Sequence, residues 1–332
     1  MLDIEKNVLT SKDFESNQEI RWCPGCGDFA ILKQLQNVLP TLGIPKENFV
    51  MVSGIGCSSR LPYYMNTYGM HTIHGRATAV ATGLKLSRPD LSVWIITGDG
   101  DALSIGGNHL IHLLRRDIDV NILLFNNQIY GLTKGQFSPV SEQNKITKSS
   151  PNGTTDKPFN TLSLALGAGA SFVARSLDRE AKHLQEVLKS SHEYTGASFV
   201  EIYQNCHIFN DGAFDKYTDR KTRKNNVIFL EQNKPLIFGE NNEFGIVLDG
   251  YKPKIVALDV NNSINNLFIH DKNDKLKAQI LSNFSEFGLP EVFGVIYENS
   301  ILKKLNTDFQ SLENDTNAIN LLISGNNSWR VL

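Results

Sequence analysis

The residues best able to do chemistry fall into two groups. The first is a carboxylate and an amide pair, in Gly98-Asp99-Gly100 and Asn126-Asn127. Each comes after a short apolar run, Leu91–Thr97 and Asp119–Phe125, and the interval between them fits one helix and one strand. The motifs therefore close consecutive strands of a βαβ unit, whose right-handed crossover sets both at the carboxyl edge of one parallel sheet. A carboxylate, an amide oxygen and a nearby carbonyl are hard donors that suit Mg²⁺, which completes its octahedron with phosphate and water. Glycines beside Asp99 allow backbone to approach a ligand. The helix expected after Asp101, with Gly106-Gly107, would offer N–H groups to that phosphate.

The second group is the four cysteines, Cys23, Cys26, Cys57 and Cys206. Disulfides are the default only in small secreted chains. Cys23-Pro24-Gly25-Cys26 places two thiols on one short loop, Cys57 comes after the turn Gly54-Ile55-Gly56, and Cys206 comes after another apolar run. Four thiolates from three loops can hold zinc or a cubane iron–sulfur cluster, and free cysteines are also common as small buried apolar groups. Spacing leaves all three readings open.

Periodicity marks the elements that must position these groups. Phe29–Val38, Gly75–Ser87 and Ser104–Arg116 carry apolar residues at helical spacing, and Asn48–Ser53, Leu91–Thr97 and Asp119–Phe125 read as buried strands. The strands barely alternate, as in a parallel sheet covered on both faces. Lys134–Phe159, rich in Ser, Pro, Asn, Gly and Thr, reads as a functional loop. Thr161–Phe172 and Asp178–Ser191 look helical, and Ser198–Tyr203 looks like a strand. From Asp219 the character changes. A basic run, Arg220–Lys224, precedes strand-like pieces in Val227–Leu258 and a polar tail with a helix-like stretch at Asp274–Phe284. This reading gives a main domain over 1–210 and a C-terminal extension over 211–332.

Composition narrows the class. The chain has 332 residues, 33 Lys plus Arg against 35 Asp plus Glu, and a net charge of −2, which excludes a broadly basic nucleic-acid binder. Its apolar runs are strand-length, so no membrane span is expected. Met1–Ser11 lacks an apolar signal core, so the expected location is the cytoplasm.

Gly-Asp-Gly succeeded at this distance by Asn-Asn resembles the thiamine-diphosphate-binding motif. That resemblance makes Asp99 and Asn127 ligands of Mg²⁺, with the backbone carbonyl of Ile129 as a third. A longer series occurs in one order: Trp22-Cys23-Pro24-Gly25-Cys26-Gly27, Gly54-Ile55-Gly56-Cys57-Ser58, His71-Thr72-Ile73-His74-Gly75-Arg76-Ala77, Gly98-Asp99-Gly100-Asp101, and Asn126 through Gln136. The series resembles the β subunit of the 2-oxoacid:ferredoxin oxidoreductases, nearest to the 2-oxoglutarate type (2-oxoglutarate synthase), over about residues 15–210. The closing Ser328-Trp329 also resembles family tails.

The resemblance implies a parallel α/β sheet with helices on both faces, the diphosphate module of the thiamine diphosphate-binding fold. It implies one 4Fe–4S cluster on Cys23, Cys26, Cys57 and Cys206. Ile55, Gly56, Ser58 and His74 would contact the cofactor, and Gly100, Asp101, Gly131 and Leu132 would surround its diphosphate. The implied reaction is oxidative decarboxylation of a 2-oxoacid with CoA, electrons leaving through the cluster to ferredoxin. An α subunit would supply the glutamate that thiamine diphosphate needs, so the chain alone is expected to be inactive. Lys134, just past the diphosphate loop, is a candidate for the distal carboxylate of 2-oxoglutarate. Arg220–Lys224 is either a solvated face or a docking patch for acidic ferredoxin or CoA phosphates. His270-Asp271 resembles a phosphohydrolase dyad but lacks companions. The competing readings are a non-redox thiamine diphosphate decarboxylase or synthase, against which the cysteines argue, and a zinc-bearing interaction protein, against which Asp99 and Asn127 argue.

Overall fold

The computed structural model describes residues 9–258, 266–299, 320 and 323–325. Two units are distinguished, Met1–Ile301 and Leu302–Leu332, and strands β1 (Phe49–Ser53) to β11 (Glu291–Glu298) lie in the first. Ser328-Trp329 lies outside the described residues.

Between these two come β2 (Tyr68–His71), β3 (Ser92–Gly98), β4 (Val120–Asn126), β5 (Phe172–Leu177), β6 (Ala197–Tyr203), β7 (Val227–Phe229), β8 (Ile237–Phe238), β9 (Phe244–Asp249) and β10 (Lys252–Ala257). The helices are α1 (Asp28–Val38), α2 (Leu61–Tyr64), α3 (Ala77–Ser87), α4 (Asp99–Leu103), α5 (Gly107–Arg116), α6 (Thr161–Gly167), α7 (Ala181–Glu193), α8 (Asp215–Thr218), α9 (Arg223–Asn226) and α10 (Lys275–Ser282). Eight strands form one sheet in the order β2-β1-β3-β4-β6-β5-β11-β7, and β10-β9-β8 form a small antiparallel sheet. Every pairing from β2 to β5 is parallel, and β11 runs antiparallel to β5.

Burial explains why the strands show so little alternation. Every residue of β1, β4, β5 and β6 is buried. Val50, Val93, Ile95, Ile122 and Leu124 face a core shared with α3, α5, α6 and α10. The residues between them, Met51, Trp94, Ile96, Leu123 and Phe125, face a second core under α1 and α7. Period-2 side chains thus meet apolar neighbours on both faces, as parallel sheets require.

Three strands escape the sequence pattern. β5 carries Arg175 and Ser176 among its apolar residues and, past Phe172, lies between the two expected helices Thr161–Phe172 and Asp178–Ser191. Arg175 is tolerated there, at 4% exposure, because Glu201 on β6 takes its Nε at 2.7 Å and Glu291 on β11 takes its other arm. β2 is a short edge strand with all four residues exposed. β11 lies in the tail read as polar. Its insertion between β5 and β7 corrects the boundary at residue 210, because the chain returns after that point to complete the main sheet.

Candidate active site and thiol cavity

The four middle strands deliver the candidate residues to one carboxyl edge. β1 runs into Gly54 through Cys57, β3 into Asp99, β4 into Asn127, and β6 into Gln204, Asn205 and Cys206. β1, β3, β4 and β6 are consecutive hydrogen-bonded neighbours, so residues far apart in sequence become adjacent.

Asp99 begins α4 directly and is 3% exposed. Burial pushes its carboxyl up to about 7, opposed by a hydrogen bond from Ser138 Oγ to Oδ2 at 2.5 Å. Ser138 belongs to the loop 134–159, and no spacing rule would have found it. Asn127 Oδ1 accepts the Ile129 N–H at 3.1 Å, folding the chain so that Asn127 and Ile129 line the same cleft as Asp99. The preceding Asn126 is buried and donates its side-chain amide to Glu201 at 2.7 Å. The first asparagine therefore anchors the turn to the sheet, while the second faces the cleft.

Asp101 ties the cleft's loops together. Its Oδ1 accepts the N–H of Ile55 at 3.1 Å and of Gly75 at 2.7 Å, and stands 2.5 Å from His74 Nδ1. Its Oδ2 accepts the Thr97 hydroxyl at 2.7 Å. The carboxylate thus has donors on both oxygens and faces protein. With Nδ1 on Asp101, His74 keeps Nε2 for the cleft, and its side chain is 40% exposed.

Gly100 lines the cleft and has a second role, and the expectation of free backbone N–H groups changes. At Gly100 the space a Cβ would need is filled by the Tyr130 ring, 2.1 Å away, and Tyr130 Oη donates to the Gly100 carbonyl at 2.9 Å. Gly100 therefore makes room for an aromatic ring. The N–H groups of Gly106 and Gly107 donate to Asp101 O at 3.2 Å and Ser104 O at 3.1 Å, so neither is free for phosphate. The cleft, about 110 Å³, also reaches Gly56, Ser58, Gly131 and Leu132.

A second cavity of about 250 Å³ adjoins it and is lined by Cys23, Cys26, Cys57 and Cys206. Cys57, Asn127, Gly131 and Leu132 belong to both walls. A Cβ on Gly131 would lie 3.4 Å from Cys206 Sγ and 3.6 Å from Cys57 Sγ. Burial, helped by the Asp28 carboxylate and the neighbouring thiols, pushes Cys57 up to about 12, and burial pushes Cys26 and Cys206 upward as well. Asp28 is 1% exposed and both its oxygens lack a hydrogen-bond partner. Thiols and a carboxyl so crowded become favourable anions only around a positive centre. Among the described residues no three His, Cys, Asp or Glu side chains converge as on a single ion. Four thiols around a cavity fit a cysteine-ligated centre, zinc or an iron–sulfur cluster.

Lys134 stands exposed at this cavity's rim with φ 77°, its N–H bonded to Gly131 O at 3.0 Å. Arg21 and Arg60 share the rim, cations the motif reading missed because they match no pattern. The remaining candidates lie elsewhere. His270 is a core residue, 1% exposed, bonded through Nε2 to Val295 O at 2.9 Å. In the basic run, Arg223 pairs with Glu180 and Lys224 with Glu240.

A parallel sheet whose adjacent strand ends present a buried carboxylate and an amide to one cleft is the framework of a thiamine diphosphate enzyme. Residues 54–202 match the family described as thiamine pyrophosphate enzyme, C-terminal TPP binding domain. The chain is 50% identical over 330 residues to the 2-oxoglutarate oxidoreductase subunit KorB of Mycobacterium tuberculosis, covering 96% of this chain and 88% of that protein. It is 41% identical over 221 residues to the 2-oxoglutarate synthase subunit KorB of Archaeoglobus fulgidus, covering 66% of this chain and 82% of that one. Among solved structures, the 2-oxoglutarate:ferredoxin oxidoreductase from Magnetococcus marinus, with 2-oxoglutarate, coenzyme A and succinyl-CoA bound, matches with a TM-score of 0.77 at 32% identity, covering 96% of this chain and 97% of that one. The chain belongs to the β subunits of the 2-oxoacid:ferredoxin oxidoreductases, of the 2-oxoglutarate type. It is therefore one subunit of an oxidoreductase that has an α partner. Among the described residues no helix is long and apolar enough to cross a membrane.

Proposed function

We propose that this subunit carries the cofactor and the cluster of an enzyme that converts 2-oxoglutarate, CoA and two oxidised ferredoxins to succinyl-CoA, CO₂, one proton and two reduced ferredoxins. The observation that carries the reading is the shared wall: Cys57 and Gly131 border both the Asp99–Asn127 cleft and the four-thiol cavity. The substrate assignment is supported by the similarity to a structure that holds 2-oxoglutarate, coenzyme A and succinyl-CoA.

Asp99, the Asn127 side chain and the Ile129 carbonyl would hold Mg²⁺, and Cys23, Cys26, Cys57 and Cys206 would hold one 4Fe–4S cluster. When bound, thiamine diphosphate supplies the electron sink for decarboxylation and the cluster accepts electrons singly. The protein's part is to position and exclude. Asp101 fixes the Ile55 and His74 loops around the cleft, and Ser138 holds the Asp99 carboxyl in place. Lys134 puts an ammonium at the cavity rim, where it would meet the substrate's distal carboxylate. The setting proposed is the cytoplasm.

The test combines the chain anaerobically with its α subunit, thiamine diphosphate and Mg²⁺. Ferredoxin reduction that requires both 2-oxoglutarate and CoA is the expected result. Decarboxylation that proceeds without an electron acceptor, giving a free aldehyde, would overturn the reading.

A further inference from the structure

The Asn210 N–H donates to the Cys206 carbonyl oxygen at 2.9 Å, whereas the Cys26 sulfur is approached by a side chain. Gln204, the residue after β6, is 1% exposed. Its Nε2 lies 3.3 Å from Cys26 Sγ and 2.7 Å from the Asn205 carbonyl oxygen. Its two amide hydrogens therefore have two acceptors. A flipped carboxamide would set Oε1 against both the carbonyl and the sulfur, so the orientation is fixed by its partners. The backbone N–H of Gln204 donates to Asn126 O at 2.9 Å, locking the residue to the end of β4. Oε1 is buried without a partner, so Gln204 keeps an unsatisfied acceptor where an apolar side chain of equal length would leave none.

We propose that Gln204 is a positioning residue that raises the reduction potential of the iron–sulfur cluster by donating a hydrogen bond to the Cys26 thiolate; this rests on the proposed four-cysteine cluster. One-electron reduction adds negative charge to the cluster and its sulfur ligands. A fixed N–H aimed at one of those sulfurs stabilises the reduced form more than the oxidised form. Gln204 is the only glutamine lining this cavity among the described residues.

The test uses the anaerobic holo complex with wild-type chain, Gln204→Glu and Gln204→Met. The cluster midpoint is read by electron paramagnetic resonance during dithionite titration, with iron per chain measured alongside. Both variants should reduce at lower potential, by at least tenfold in the reduction equilibrium, about 59 mV for one electron. Midpoints that coincide with wild type at equal iron content overturn the proposal and leave the cluster intact. Should the variants fail to assemble, wild type labelled with ¹⁵N in glutamine side chains decides. A ¹⁵N coupling to the reduced cluster supports the bond, and its absence overturns it. Wild type without iron overturns the cluster reading and this proposal with it.

Discussion

Replacing Asp101 by Asn changes one atom and removes the charge that ties two loops to the end of β3. The wild-type carboxylate holds Ile55 N–H, Gly75 N–H and His74 Nδ1 on one oxygen and the Thr97 hydroxyl on the other. In Asp101→Asn the amide nitrogen must replace Oδ2, since at Oδ1 it would face three donors. Thr97 can then turn its hydroxyl to accept, while still donating to Gly98 O, 3.4 Å away. Three donors are left on a neutral oxygen. Hydrogen bonds to a charged acceptor are worth roughly 1.5–3 kcal/mol and neutral ones roughly 0.5–1.5, so the loss is roughly 1 kcal/mol for each donor, or about 3 kcal/mol in total. Denaturant unfolding monitored through buried Trp94, 0% exposed, reads this directly. If half the loss appears as displacement of the Ile55 and His74 loops, thiamine diphosphate affinity falls by about tenfold. A stability change below about 0.5 kcal/mol with unchanged affinity would refute the role given to Asp101.

Arg175→Met should destabilise the chain by about 3–5 kcal/mol, because Glu201 and Glu291 lose the buried cation between them; a loss below about 1 kcal/mol in denaturant unfolding would contradict this. Burial, helped by the Arg223 guanidinium, pushes His183 from 6.5 down to about 4. The unfolded chain then takes up the proton first, so stability is complete above pH 6.5 and falls as pH drops toward about 4. His183→Gln should flatten that part of the pH–stability curve, and an unchanged slope would count against it. Lys134→Ala should raise KM for 2-oxoglutarate much more than for pyruvate in the assembled enzyme, and an equal effect on both would remove the carboxylate role.

Much of this was legible in the sequence because parallel sheets sort residues simply. Apolar runs without alternation mark buried strands, and the residues just past each run land on one edge, which is where the structure places Cys57, Asp99, Asn127 and Cys206. Residues acting through tertiary contacts were not legible. Arg175 hides β5 because its partners lie 26 and 116 residues away. Ser138 reaches Asp99 from an irregular loop, across 39 residues. Gly100 looked like space for a ligand, and only the fold shows the Tyr130 ring in that space. The Gly106 and Gly107 amides looked free because α4, a single turn beginning at Asp99 itself, leaves no periodic signal.

We propose that four thiols of this subunit hold an iron–sulfur cluster against the thiamine diphosphate cleft. Iron, acid-labile sulfide and zinc per chain, measured on anaerobically purified complex, test it most directly. About four iron and four sulfide per chain, with no zinc, are the expected values. One zinc without sulfide would contradict it.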